Sequence, residues 1–503
     1  MWTRRETLAL LGAPAILLSA KDKPQVNDGI QIGDPSGGRA IVWSRTDRPA
    51  QLMVEYSTSE RFTSPRRVAG PAATSETDFT ARVDLADLPP GQTVFVRAWF
   101  EASGVRSDRL EGSFRTPPRA PRNTRLLWSG DCAGQGWGIN PDWGGFRIYE
   151  TMLQREPDLF LHSGDTIYAD NPIQAEVKLA DGTVWRNTTT EAKSKIAESL
   201  DDFRGNYRYN LMDVHLRRFS ARVPQIWQWD DHEVTNNWSP SRVLGERYRE
   251  QDILSLASRG RQAFLEYAPL RLSPAGQPVI YRSISYGPLL DVFLLDMRSY
   301  RGPNTYNRQE REGPETAYLG AAQIAWLKQA VRQSRAAWKI IAADMPISLQ
   351  VSDGRDEQGR PRWEASANGD GPPLGRELEI AGLLRFFQQN RIRNTVWLTA
   401  DTHYTAAHYF DPAKARFIEF DPFWEFVSGP MHAGTFGPNA ADDTFGMQVV
   451  FQKAPPPGKA NLPPSAGLQF FGEVNIDAKT RELTVILRDL AGAALFSKTL
   501  APA

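Results

Sequence analysis

Four short stretches place acids, a phenol and imidazoles directly behind apolar runs. Gly130-Asp131-Cys132 follows RLLWS, and Gly164-Asp165, with Tyr168 and Asp170 beyond, follows DLFLHS. Asp230-Asp231-His232-Glu233 follows PQIWQW, with Asn236 and Asn237 close behind, and Asp401-Thr402-His403 follows NTVWLT. A single Asp in such a position is an ordinary turn former or helix cap. Four carboxylate-bearing turns at one edge would repel one another and shift their pKa values unless a cation neutralised them. Asp, Asn, Tyr and His offer mainly oxygen donors, which suit hard cations such as Ca²⁺, Mg²⁺, Mn²⁺ or Fe³⁺ rather than a cysteine-rich zinc site. The chemistry indicated is metal-assisted hydrolysis, in which ions about 3.5–4 Å apart would clamp phosphate oxygens, activate an oxygen nucleophile and stabilise a leaving alkoxide. No G-x-S-x-G elbow competes with that reading.

Gathering these turns requires strands that end together. RLLWS, DLFLHS, PQIWQW, LLDVFLLD, WKIIAAD and NTVWLTAD are apolar on both faces. They alternate with stretches of helical spacing such as GGFRIYETMLQR and AAQIAWLKQAVRQSRA, so they predict an α/β domain with a covered sheet. Open sheets of this kind bind ligands beyond the carboxyl ends of their strands. Residues 25–118 read differently. Short period-two runs, separated by Gly, Pro, Ser and Asp clusters, predict a β-sandwich of fibronectin or immunoglobulin type. TPPRAPRN, residues 116–123, marks the boundary, and the catalytic domain is expected over 119–503. Near the C-terminus a Pro/Gly loop, residues 453–467, precedes a predicted hairpin.

Over 503 residues, 41 % hydrophobic and 23 % charged, the composition is that of an ordinary globular protein. Lys+Arg and Asp+Glu both number 59, which leaves no basic excess for specific nucleic-acid binding. The N-terminal MWTRRETLALLGAPAILLSA has a charged start, a short apolar stretch and small residues near Ala20. It reads as an export signal over residues 1–20. Arg4 and Arg5 give it a twin-arginine character and imply the twin-arginine machinery as partner, with a periplasmic or secreted destination and no transmembrane segment. The single cysteine, Cys132, excludes an internal disulfide framework.

The ordered set Asp…Gly-Asp-x-x-Tyr…Asp-His-Glu…x-x-His resembles the calcineurin-like metallophosphoesterases and their purple acid phosphatase relatives. GDCAGQGWGINPDWGG, HSGDTIYAD, WDDHEVTNNW, LDMRSYRG, TADTHY and FWEFVSGP resemble, more closely, the PhoD alkaline phosphatase/phosphodiesterase family. That resemblance covers nearly the whole chain and implies an N-terminal β-sandwich, a twin-arginine signal, and a site with Fe³⁺ and Ca²⁺. It implies that Asp165 bridges metals, that Tyr168 and His403 ligate iron, and that Asp231, Asn236 and Asp401 serve the harder ion. His232 would then hydrogen-bond the phosphoryl group or the leaving oxygen. Asp131 and Cys132 are alternative ligands from the first motif, because adjacent residues leaving a strand rarely point the same way. Arg298 and Arg301 are candidates to clamp phosphate bidentately, or else structural ion pairs. His162 is read as a core histidine and His215 as an exposed helical residue, while His408 and His432 are candidates to line the pocket; most of the tryptophans are read as core, with Trp143 and Trp238 as candidates to stack on substrate. The implied activity is hydrolysis of phosphate mono- or diesters of small molecules, lipids or polymers. A phospholipase D-like or wall-polymer phosphodiesterase is the alternative within the same site class, and a non-catalytic exported binding protein is the alternative outside it.

Overall fold

The computed structural model describes residues 22–272 and 279–503. The export-signal reading of residues 1–20 lies outside the described residues. Residues 22–118 form β1 (Ile30–Ser36), β2 (Arg39–Arg45), β3 (Ala50–Ser57), β4 (Arg66–Ala73), β5 (Thr80–Leu85), β6 (Thr93–Ala102), β7 (Val105–Arg106) and β8 (Leu110–Arg115). Next come β9 (Thr124–Ser129), α1 (Arg147–Leu153), β10 (Leu159–Ser163), β11 (Glu176–Lys178) and β12 (Val184–Arg186). Helices α2 (Leu200–Asn210) and α3 (Val214–Ser220) lead to β13 (Gln225–Gln228) and α4 (Ile253–Tyr267). A second series runs β14 (Arg282–Ser285), β15 (Leu290–Leu294), α5 (Ala321–Gln333), β16 (Trp338–Ala342), β17 (Ser352–Arg355) and β18 (Pro361–Trp363). It continues with α6 (Glu377–Gln389), β19 (Thr395–Thr399), β20 (Thr405–Phe410), β21 (Phe423–Val427) and β22 (Met447–Lys453). The chain closes with β23 (Phe470–Ile476), β24 (Leu483–Asp489) and β25 (Ala494–Leu500).

Two mixed sheets face each other. One has the order β25-β24-β23-β9-β10-β13-β1-β2-β5 and the other β14-β15-β16-β19-β21-β20-β22. Alternation along the strands explains the double-sided apolar runs. Leu126, Trp128, Leu159, Leu161 and Ile226 point inward, against Val292, Ile340, Val396 and Leu398 of the opposite sheet. Leu127, Phe160 and Trp227 point outward to Tyr149, Phe203, Phe219 and Phe264 on α1 to α4. Phe293, Ile341 and Trp397 meet α5 and α6 through Leu327, Val331, Leu383 and Leu384. The covering layer that the sequence left unspecified is therefore, on one face of each sheet, the other sheet. Helices α2, α3 and α4 start where an apolar stripe coincides with a side-chain cap. Asp252 accepts from the Leu254 and Ser255 amides at the start of α4, and Ser199 with Asp202 makes a capping box on α2.

The central strands β9, β10 and β13 are mutually parallel, as are β15, β16, β19 and β21. Their carboxyl ends open at a common edge, and the Asp-rich turns follow there. The N-terminal strands form a sandwich, with β1, β2 and β5 packed against β4, β3, β6 and β8 around Ile32, Val42, Leu52, Val54, Val96 and Phe100. Its first strand also extends the larger sheet, through the parallel pair Gly33 and Gln225. No helix among the described residues is long and apolar enough to cross a membrane.

Gly33 shows how tight the joint is. A Cβ there would stand 1.9 Å from the Pro269 carbonyl oxygen, and Asp34 beside it pairs with Arg282 at 2.8 Å. Forcing atoms into such contact costs on the order of 3 kcal/mol. Gly33→Val should lower the thermal midpoint of the whole catalytic region by several degrees, whereas Gly382→Ala, in open space on α6, should not. Calorimetry showing equal midpoints would mean that the joint carries no stability.

Candidate metal centre and active site

The backbone is bent in the same unusual way at the turns after β9, β10 and β19, but not at Asp230-Asp231 after β13. Asp131 (φ 67°), Asp165 (φ 50°), Asp401 (φ 62°) and His403 (φ 59°) all sit in the left-handed region. Residues with a Cβ avoid that region at a cost of about 1–2 kcal/mol, and such strain persists only where surrounding contacts impose it. The reversal turns each side chain back over the strand ends. Gly164 (φ 92°) permits it for Asp165, since a Cβ at that position would lie 2.4 Å from Asp230 Cβ. Glu233 then ties two of the turns together. This fully buried carboxylate accepts from the amides of Asp165 (3.2 Å), Thr166 (2.5 Å) and Asp230 (2.7 Å), and from the Thr166 hydroxyl (2.5 Å).

Two overlapping donor groups result. Asp131, Asp165 and His403 bring ligand atoms within 4.8 Å of one another, and so do Asp165, Asp231 and His232. Asp165 belongs to both. Tyr168 stands 2.9 Å from His403 Nε2, while His403 Nδ1 donates to the Gly434 carbonyl at 2.5 Å. That second bond fixes the tautomer that leaves Nε2 as an acceptor or metal ligand. Burial lowers the His403 pKa to about 4, so the ring is neutral. Burial, with the charges of Asp231 and Glu233, raises Asp131 to about 8. Burial also raises Asp165, and it raises Tyr168 well above the usual phenol range with help from Asp165 and Asp131. Asp131 Oδ2 is buried without a hydrogen-bond partner. Protein groups alone do not stabilise these anions. A bound cation would, and the mixed oxygen and imidazole donors fit one.

His232 is held from behind. Its Nδ1 donates to Asp170 Oδ1 at 2.6 Å, and Asp170 also accepts from Arg247 (3.0 Å) and the Asn236 amide (3.1 Å). Burial opposes a charge on His232, yet Asp170, Asp231 and Asp165 raise its pKa well above 6.5. Asp170 is likewise buried but is held down to about 2 by the imidazolium. The ring lies against Tyr168, centroids 4.3 Å apart, leaving Nε2 as the nitrogen available to the cleft. The cleft has a volume of about 370 Å³, and Asp165, Asp231, His232, Asn236, Asp401 and His403 line it together with Gln135, Asn171, Asn237, Glu364 and Asn439.

The profile of the PhoD-like phosphatase family matches residues 126–487, and that of its N-terminal domain matches residues 12–118. The chain belongs to the PhoD-like phosphatase family. It is 25 % identical over 454 residues to alkaline phosphatase D of Bacillus subtilis (strain 168), covering 85 % of this chain and 72 % of that protein. Among solved structures it is similar to one of PhoD, with a TM-score of 0.69 at 20 % identity over 96 % of this chain and 90 % of the other. It is also similar to a purple acid phosphatase from yellow lupin (Lupinus luteus) seeds, with a TM-score of 0.57 at 12 % identity over 95 % and 74 % of the two chains. Membership makes this PhoD-like protein a metal-dependent phosphoric ester hydrolase, and the structural likeness bears out the β plus α/β fold class with its mixed sheets and flanking helices.

In this PhoD-like structure three candidate residues, Cys132, Arg298 and Arg301, lie away from the cleft. Cys132 points away from the donor groups into the core, its sulfur 4.0 Å from the Tyr149 hydroxyl, and burial raises the thiol pKa. Successive side chains diverge at this turn, so only Asp131 faces the donors. Arg298 is fully buried and does not line the cleft; its guanidinium contacts carboxylates instead of solvent, so it cannot clamp a phosphate there. Arg301 is also buried, donating to the Glu364 carbonyl and lying over Tyr318. His162, His408 and His432 are packed in the interior, with His408 paired to Glu425 at 2.8 Å. Trp238 packs edge-on against Trp229, and Trp143 lies near Trp185, outside the cleft. Asp170, Glu233 and Glu364 received no role from the sequence. For Asp170 the available signal was its place five residues after Asp165 in the same strand-end stretch; Glu364, far along the chain, gave none.

Two outcomes follow for variants of these residues. Asp170→Asn should lower kcat by at least about tenfold while leaving bound metal unchanged, because the carboxylate orients and charges His232 without belonging to either donor group. Wild-type turnover in a folded Asp170→Asn protein would exclude that role. Asp131→Ala should reduce metal content, measured by plasma mass spectrometry, whereas Cys132→Ala should cost only about 1–2 kcal/mol of stability through a small cavity. The reverse pattern would make the thiolate the ligand.

Proposed function

We propose that this chain is an exported alkaline phosphatase D-like enzyme hydrolysing phosphate mono- and diesters, organised as a signal (1–20), a β-sandwich (25–118) and a catalytic domain (119–503). The observation that carries the catalytic reading is Asp165, buried and common to two donor groups at the edge where the strands end. Asp131, Tyr168 and His403 with Asp165 would hold Fe³⁺, while Asp231, Asn236 and Asp401 with Asp165 would hold Ca²⁺. When bound, such ions polarise phosphate oxygens and make water a nucleophile near neutral pH. His232 carries a proton on Nε2 for the departing oxygen, and Asp170 keeps the imidazolium charged and aimed. The amides of Gln135, Asn171, Asn236, Asn237 and Asn439 line the cleft, and none of its lining residues is Lys or Arg. That wall supports room for the second, uncharged arm of a diester as well as for a monoester.

Asp165→Asn should reduce activity by more than about 100-fold, the upper end for changes that only support a ligand. Near-wild-type rates in the folded variant would remove the site assignment. Metal identity is tested by colour. A phenol with an ordinary pKa of about 10 ionises near neutral pH only on a strong Lewis acid. Protein purified without chelator should therefore show a visible charge-transfer band that Tyr168→Phe loses. A colourless, iron-free and fully active protein would leave calcium or another colourless ion as the metal.

A further inference from the structure

A third group, Asp230, Asp231 and Asp401, also brings one carboxylate oxygen each within 4.8 Å of the others. The Arg298 guanidinium already stands among them. Its Nη2 lies 2.5 Å from Asp230 Oδ1, 3.8 Å from Asp231 Oδ1 and 3.5 Å from Asp401 Oδ1. Nε is 3.3 Å from Asp344 Oδ2, and Nη1 pairs with Glu364. A calcium or magnesium ion needs oxygens on several sides at about 2.0–2.6 Å. An ion bound through the three Oδ1 atoms that face Nη2 would have to displace the guanidinium.

We infer that Arg298 is the resident cation of this inner carboxylate group, standing where a further metal ion would otherwise bind, and the positioning residue for Asp231 and Asp401. Those two aspartates face both ways. They touch Arg298 on the inside and line the cleft on the outside. Arg298 therefore spends part of their charge internally and leaves the rest for the cleft. A planar guanidinium holds several carboxylates in directions fixed by its five-donor fork, whereas a lysine ammonium offers three freely rotating donors from one point. The chain aims it through Asp296, just beyond β15, whose Oδ1 accepts from the amides of Arg298 (3.1 Å) and Ser299 (2.9 Å) and from Trp229 Nε1 (2.9 Å). The second sheet thus delivers the cation, while the first supplies Asp230 and Asp231 and the second Asp344 and Asp401.

The positioning role rests on the proposed metal centre; the cation role does not. The test counts Ca²⁺ equivalents on the full chain by equilibrium dialysis, with thermal midpoints and steady-state kinetics on the same samples. Asp230→Asn, which alters only the inner group, should keep the wild-type count. Arg298→Met should gain one equivalent and show a midpoint that rises with calcium more steeply than the wild type. Loss of one equivalent in Asp230→Asn, or a folded Arg298→Met with the wild-type count, would overturn the cation role. If Arg298→Met does not fold at any calcium concentration, Asp230→Asn decides. Arg298→Lys should keep the count but lower kcat at least tenfold, and wild-type kcat there would refute positioning. A wild-type protein that binds no metal would sink the metal-centre reading, while a gain of calcium by Arg298→Met would still support the cation role.

Discussion

Asp131, Asp165, Asp231 and Asp401 crowd a buried edge where neighbouring carboxylate oxygens fall within 4.8 Å of one another. Water cannot screen charges there, so each added anion raises the free energy of its neighbours. Charge relief from the protein itself comes by protonation or from a neighbouring cationic side chain, a guanidinium, an ammonium or an imidazolium. The structure sets a guanidinium and an imidazolium at separate places, Arg298 below the edge and His232 beside it. Between them Asp131 Oδ2 is left without a partner. The centre is thus arranged around an unmet demand for positive charge, the property that a metal ion would satisfy.

Holding such a cluster together against its own repulsion requires rigid supports. Parallel strands from two facing sheets end at the same level, and their inner faces are locked by a shared apolar core. Left-handed turns at Asp131, Asp165, Asp401 and His403 direct the ligands inward. Glu233 ties the turns after β10 and β13 with hydrogen bonds from three backbone amides, and each net bond to a charged acceptor contributes about 1.5–3 kcal/mol. The cost of strain at the turns is therefore offset by bonds that exist only when both turns are in place. Fold and site depend on the same few contacts.

The N-terminal strands take part in this framework. β1 adds to the edge of the larger sheet beside β13, the strand that supplies Asp230 and Asp231. Asp34 at that joint is buried and paired with Arg282. Displacement of the sandwich would therefore be felt directly at a ligand-bearing strand, and a Pro-rich boundary at residues 116–123 does not make the two parts mechanically independent.

Much of this was legible in residue order. Strands that are apolar on both faces must be covered on both faces, so RLLWS, DLFLHS, PQIWQW and NTVWLT had to be central, and the acids behind them had to share an edge if the strands ran parallel. Period-two patterning likewise determined the N-terminal β-structure. Other features depended on distances between residues remote in sequence. The second sheet as a cover, the pairing of β1 with β13, and the meeting of Arg298 with Asp230, Asp344, Glu364 and Asp401 are decided by packing. That Asp131 faces the donor groups while Cys132 packs into the core is likewise seen only in the folded chain. Residue type fixes what chemistry a group can do. Its burial and its neighbours' charges decide whether it does it, and those are properties of the folded chain alone.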